Sequence, residues 1–368
     1  MNNLFFNYPT EENFDKEPYP DFFYSWDEAV KKGSNPGFFE VDDLCIIIDI
    51  YLSEDQINRA KFAIDYAFKL HPDHEDLKEE ILFLLNENEL WNDLLLLAEK
   101  YATDEPIYSD NHKLEALLHL GMEEDAFLLF KKLKKKYNNY PDDLSMLYQT
   151  MGDTLNEIDL NDASIEVMKE ALTVLGEDID FYWILLSSAI ALDDKENVYT
   201  LCDSIQKINP MDAETWNEIG NAYHEIGDTK REIEAFEFAR SLGLRDDNMK
   251  IKLIYAYEKN GNFSKALECV DEYLDEYPNS FFSYLTAVNI CTKVEDWGNA
   301  LYYIEKAIEA EPLMDIFYLY KSNFLLQMGE EKKALFALIE GIQKIQKPSD
   351  DLLEELDKLR KQFPEFNI

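Results

Sequence analysis

Residues 213–244 read AETWNEIGNAYHEIGDTKREIEAFEFARSLGL, and the spacing of their apolar side chains decides the fold. Trp216, Ile219, Gly220 and Tyr223 fall at i, i+3, i+4 and i+7, one side of an α-helix. Gly227-Asp228 interrupts that helix. Ile233, Phe236 and Ala239 then mark the buried side of a second helix. Such a hairpin is too small to bury its own apolar side, so it requires neighbours of the same kind.

Working outward, the prolines show those neighbours. Pro72, Pro106 and Pro141 lie 34 and 35 residues apart; Pro210, Pro278 and Pro312 follow at 68 and 34, and Pro348 after 36. Leu244 stands where a proline would fall between Pro210 and Pro278. The same step exposes a column of mainly small residues: Ala60, Leu94, Ala126, Ser164, Val198, Glu232, Ala266, Ala300 and Ala334. Small residues there let two helices approach closely, and large residues of the first helix fill the space around them. Trp216 is expected inside that packing, with a cavity cost of about 3–5 kcal/mol on truncation to alanine. The step is irregular over 109–144, where a short first helix and a lengthened second one, KKLKKKYNNYPDD, are expected.

These residues resemble the tetratricopeptide repeat (TPR) family, whose pattern is W-x2-L-G-x2-Y followed by alanine, phenylalanine, alanine and proline at set offsets. Trp216, Ile219, Gly220, Tyr223, Phe236 and Ala239 match it, while Glu232 and Leu244 depart. Tyr257, Gly261, Ala266 and Pro278 fit in the next unit, and Tyr51, Ala60, Ala67 and Pro72 in the first. The resemblance, to multi-repeat scaffold proteins of bacterial type, implies an all-α right-handed solenoid of about nine helix pairs. The array is assigned to residues 41–348. Residues 1–40 form an aromatic-rich N-terminal extension that either caps the first pair or lies in a groove. Residues 349–368 supply a C-terminal capping helix, with Leu352, Leu353, Leu356 and Leu359 on one side, and a tail. Ser25 is expected to cap a short helix reaching Lys32, with Glu28 completing a capping box.

Composition narrows the function. Of 368 residues, 46% are apolar, with only 12 glycines and 12 prolines, which argues for short loops and against turn-dense β folds. Acidic residues outnumber basic ones 76 to 35, and the net charge of −41 disfavours nucleic acid and anionic membranes as partners. Only five basic residues are arginine, the preferred phosphate reader. Cys45, Cys202, Cys269 and Cys291 form neither a disulfide framework nor a zinc motif, and no secretory leader or membrane-length apolar run is read, so a cytoplasmic setting is expected. Cys202 and Cys291 fall at core positions. No phosphate-binding loop, HExxH or GxSxG occurs, and no enzyme, cofactor or metal site is expected. His71 and His74 read as exposed turn residues. Lys131, Lys132, Lys134, Lys135 and Lys136 read as a solvated helix end complementing the C-terminal dipole, or as a site that holds an acidic peptide or the chain's own acidic surface.

In the TPR family the first helices line a concave groove that holds peptides. Carried over from the resemblance, the groove column takes in Asp49, Glu79, Phe83, Asp153, Trp183, Asn217, Asn221, Tyr255, Asn289 and Asn323. Asn221, Asn289 and Asn323 recur at one register, and an amide both donates to and accepts from an extended peptide backbone. Asp49, Glu79 and Asp153, with Asp42 and Asp180 nearby, favour a basic partner. The family's chaperone-tail clamp is not carried over, since Phe282 and Thr286 stand at its lysine–arginine positions. The expected function is a non-catalytic protein- or peptide-binding scaffold. The alternative is a self-assembling subunit whose aromatic N-terminal segment docks on its own or a neighbouring array.

Overall fold

A computed structural model describes residues 19–100 and 106–366, so the readings that rest on residues 1–18 lie outside the described residues. Among the described residues the chain is all-α, with twenty α-helices and no strand. It divides into two compact units, one ending at Ser188 and the other beginning at Ala189.

Unit 1 opens with α1 (Asp21–Lys31). It continues through the pairs α2 (Val41–Ser53) with α3 (Ile57–Leu70), α4 (Glu75–Glu87) with α5 (Trp91–Lys100), α6 (Pro106–His119) with α7 (Glu123–Lys136), and α8 (Pro141–Glu157) with α9 (Asn161–Leu175). The chain passes into unit 2 within α10 (Ile179–Ala191). Unit 2 has α11 (Lys195–Ile208), then α12 (Ala213–Glu225) with α13 (Thr229–Ser241), α14 (Asp247–Lys259) with α15 (Phe263–Glu276), α16 (Phe281–Lys293) with α17 (Trp297–Ala310), and α18 (Asp315–Gln327) with α19 (Glu331–Lys344). It closes with α20 (Asp350–Gln362) and a short 3-10 turn, Pro364–Phe366.

The small-residue column is the seam of these pairs, and all nine of its members are buried. Close approach is visible at Gly220, where an added Cβ would stand 2.5 Å from the ring of Phe236. Glu232 occupies the alanine position of its pair at 2% exposure, and His224 Nδ1 from the preceding helix lies 2.7 Å from its carboxylate. A buried carboxylate needs such a partner to persist. At the C-terminal end Leu352, Leu356 and Leu359 of α20 are buried against the α18–α19 side, whereas Leu353 faces solvent.

Each first helix passes to its second through one residue with positive φ. That residue is Gly121, Gly227, Gly261 or Gly329 in four pairs and Asp55, Glu89, Asp159, Asp193 or Glu295 in five. Left-handed backbone costs glycine little and other L-residues about 1–2 kcal/mol.

Several local expectations are corrected. α1 begins at Asp21 after Pro20, so Ser25 is internal and its hydroxyl donates back to Asp21 O at 3.3 Å instead of capping. Trp216 is only half-buried; its indole N–H donates to Pro210 O at 2.9 Å and its ring meets Phe238 at 4.4 Å. The full cavity cost therefore does not apply to it. In the irregular region α6 and α7 have 14 residues each, and the extra length lies in the 17-residue α8. Tyr137–Tyr140 turns the chain, and Pro141 starts α8 at the position where a missing N–H is harmless. His71 is half-buried rather than exposed, with Nε2 2.8 Å from Phe39 O.

Candidate functional site

Asp49, Phe83, Asp153, Asn221, Tyr255, Asn289 and Asn323 all sit four residues before the end of a first helix. One helical turn earlier on the same side come Glu79 and Asn217, with Trp183 at the matching position of α10.

In unit 1 this side is acidic. Asp49 and Asp153 are exposed, Glu79 and Trp183 half-buried, and Phe83 stands half-exposed at 50%. Cys45, one turn before Asp49, has its thiol pushed up to about 12 by burial and then by the carboxylates of Glu80 and Asp42. Asp153 keeps an exposed surface, yet lost hydration raises its carboxyl to about 6, and Glu157 and Asp180 push the same way. Gln149 reaches across to donate to Asp180 Oδ2 at 3.3 Å.

In unit 2 carboxylates give way to amides and rings. The structure brings Asn217 and Asn221 together around Glu218: Asn217 Nδ2 donates to Glu218 Oε1 at 3.4 Å and Asn221 Nδ2 to Oε2 at 3.2 Å. Lys252 of α14 donates to Asn221 Oδ1 at 2.7 Å. Asn221 is thus engaged on both sides of its amide, and Lys252 is a member of the site that sequence reasoning missed. The pairing runs between neighbouring first helices, and no single-helix periodicity signals it.

Asn289 and Asn323 differ from Asn221. Both are exposed, and the contact to Asn323 is a long one, from Gln327 Nε2 at 3.5 Å. Tyr255 lines a small recess of about 30 Å³ together with Ile251, Phe282 and Thr286, and Tyr255 and Phe282 are 41% and 54% exposed. Leu285 and Leu319 lie half-buried one turn before Asn289 and Asn323. Chemically, this side offers open amides beside aromatic and aliphatic surface.

Among the described residues no group of three or more His, Cys, Asp or Glu is placed to hold a metal ion, and no helix is long and apolar enough to cross a membrane. The four cysteines are free thiols.

No protein-family model and no curated protein matches the chain. Among solved structures it is similar to a tetratricopeptide repeat protein from Parabacteroides merdae, at 15% identity over 69% of this chain and 98% of that one, with a TM-score of 0.41. It is also similar to the C-terminal part of a TPR repeat-containing protein from Cytophaga hutchinsonii, at 16% identity over 67% and 99% with a TM-score of 0.48. A third structure, of MamA protein, is 19% identical over 46% of this chain and 92% of that one, with a TM-score of 0.40. The tetratricopeptide-type architecture is carried by the chain's own helix pairs, with their recurrent step of 34 residues and buried small-residue seam.

Proposed function

We propose that the chain is a non-catalytic scaffold that binds an extended peptide segment of a partner protein on the first-helix side of unit 2. The observation that supports this most is the pair Asn289 and Asn323, exposed at the register that Tyr255 holds in α14. Amides at one-repeat spacing suit the alternating donors and acceptors of a peptide main chain, and the rings suit its side chains. Asn221 contributes less, because a ligand must first displace Lys252 or Glu218. The acidic side of unit 1 favours lysine- or arginine-bearing segments by charge complementarity. Free thiols throughout accord with a reducing, cytoplasmic setting.

The test is selection of a displayed peptide library on the intact chain. Asn289→Ala combined with Asn323→Ala should abolish most of the enrichment while leaving the melting temperature unchanged. Enrichment that survives the double substitution removes the asparagine reading.

A further inference from the structure

Three clefts each lie between neighbouring second helices and over the first helix between them. The cleft of about 600 Å³ between α13 and α15 sets Arg240, Arg245 and Lys250 against four carboxylates. Arg240 pairs there with Glu237 at 3.0 Å and Glu272 at 3.2 Å, and Lys250 with Glu276 at 2.7 Å. The cleft of about 380 Å³ between α17 and α19 has two lysines against three glutamates. Its Lys321 lies 3.2 Å from Glu305 and its Lys333 3.2 Å from Glu330.

The third cleft, about 420 Å³ between α7 and α9, reverses this balance. Lys131, Lys134 and Lys135 face a single carboxylate, Glu170. Lys134 is held by it at 2.6 Å and lies 4.7 Å from the ring centre of Phe130. Lys131 and Lys135 are exposed and have no ion-pair or hydrogen-bond partner among the described residues. The floor is apolar, formed by buried Leu144 and Tyr148, and Val174 stands 52% exposed on the opposite wall. In a chain of net charge −41, of these three clefts, this one has surplus positive charge.

We propose that the cleft between α7 and α9 binds a short acidic peptide segment of a partner protein, its carboxylates meeting Lys131 and Lys135 and an apolar side chain seated against Tyr148 and Val174. Charge complementarity selects the acid, and the apolar floor selects a peptide over a bare anion. A nucleic acid fits poorly. Its phosphates run on past the lysines into the chain's carboxylates, and screening over roughly 8–10 Å protects only a short ligand from that repulsion. The site lies within unit 1 and does not depend on the peptide-binding reading of unit 2.

The experiment is a fluorescence-anisotropy titration of the full chain with a dye-labelled peptide of alternating glutamate and leucine. Lys131→Gln with Lys135→Gln should weaken binding about tenfold. Arg245→Gln, in the neutralised cleft, should leave it unchanged. Val174→Asp, on an exposed position, tests the same cleft from its other wall and should weaken binding severalfold. Matched thermal melts confirm that the variants fold. The proposal is overturned if the lysine double variant binds as tightly as the parent. It is equally overturned if a leucine-free polyglutamate binds as well as the probe, or if a single-stranded oligonucleotide displaces the probe at equal concentration.

Discussion

Eight helices of unit 2, α11 to α17 and α20, begin at an Asp, Asn or Ser whose side chain accepts from the backbone N–H three residues on. In unit 1, α1, α2, α3, α4, α7, α8 and α9 begin without such a bond. Acids stand in first turns of both units, such as Asp42 and Asp43 in α2, Glu123, Glu124 and Asp125 in α7, and Asp350 and Asp351 in α20, so the caps are what separate them. Acids near a helix start gain about 0.3–1 kcal/mol from the dipole, whereas a cap satisfies a specific donor and contributes about 1 kcal/mol. Unit 1 turns three of its hairpins through Asp55, Glu89 and Asp159 and one through Gly121, while unit 2 uses Gly227, Gly261 and Gly329 for three of its own. One hairpin plan has thus been finished in two ways, and the difference should appear as local stability rather than as shape.

Native-state hydrogen exchange should therefore find helix amides of unit 1 opening before those of unit 2. The largest perturbation of that order is Phe236→Ala, at the seam against Gly220. It should cost about 3–5 kcal/mol and bring the α12–α13 region down to the level of unit 1. Trp216→Ala, on a half-exposed ring, should cost clearly less; equal costs by urea denaturation would contradict the packing.

Caps give the next effect. Asp246→Ala removes the acceptor 2.6 Å from Met249 N and should cost about 1 kcal/mol. Met122→Asn installs an acceptor at the uncapped start of α7 and should recover about 0.5–1 kcal/mol, narrowing the gap in exchange rates.

The turns contribute less. Asp159→Gly relieves a φ of 62° and should stabilise α8–α9 by about 0.5–1 kcal/mol, read from the denaturation midpoint. The last test is Asp153→Asn, ranked below the others because solvent at its exposed side chain screens the shift. The folded carboxyl titrates near 6 and the unfolded one near about 4, so the folded chain binds the extra proton between those values. The parent should gain stability as pH falls through 6. The variant should melt higher than the parent at neutral pH and level with it at about pH 4.

The seam was the most legible part of the molecule. Ala60, Ala126, Ala266, Ala300 and Ala334 recur because close helix approach admits little else, and even Glu232 keeps the register. Helix boundaries were less legible at 109–144, because four added residues can lengthen either neighbouring helix and Pro141 alone decides between them. The five acidic residues with positive φ escaped notice, since composition marks a left-handed turn only when it is glycine. In the candidate site, the asparagine register was readable from spacing. Its division into an engaged Asn221 and open Asn289 and Asn323 was not, because it depends on how far Lys252 reaches between helices.

One feature of the thiols bears on how this protein can be handled. Burial pushes Cys202 and Cys291 up to about 12, Cys269 to about 11, and Cys45 to about 12 with help from neighbouring carboxylates. Thiolate is the form that alkylating reagents attack, so the native sulfurs should stay silent near neutrality. An extra cysteine engineered beside Asn323 or Val174 would then carry a maleimide dye alone, without first stripping out the natural ones.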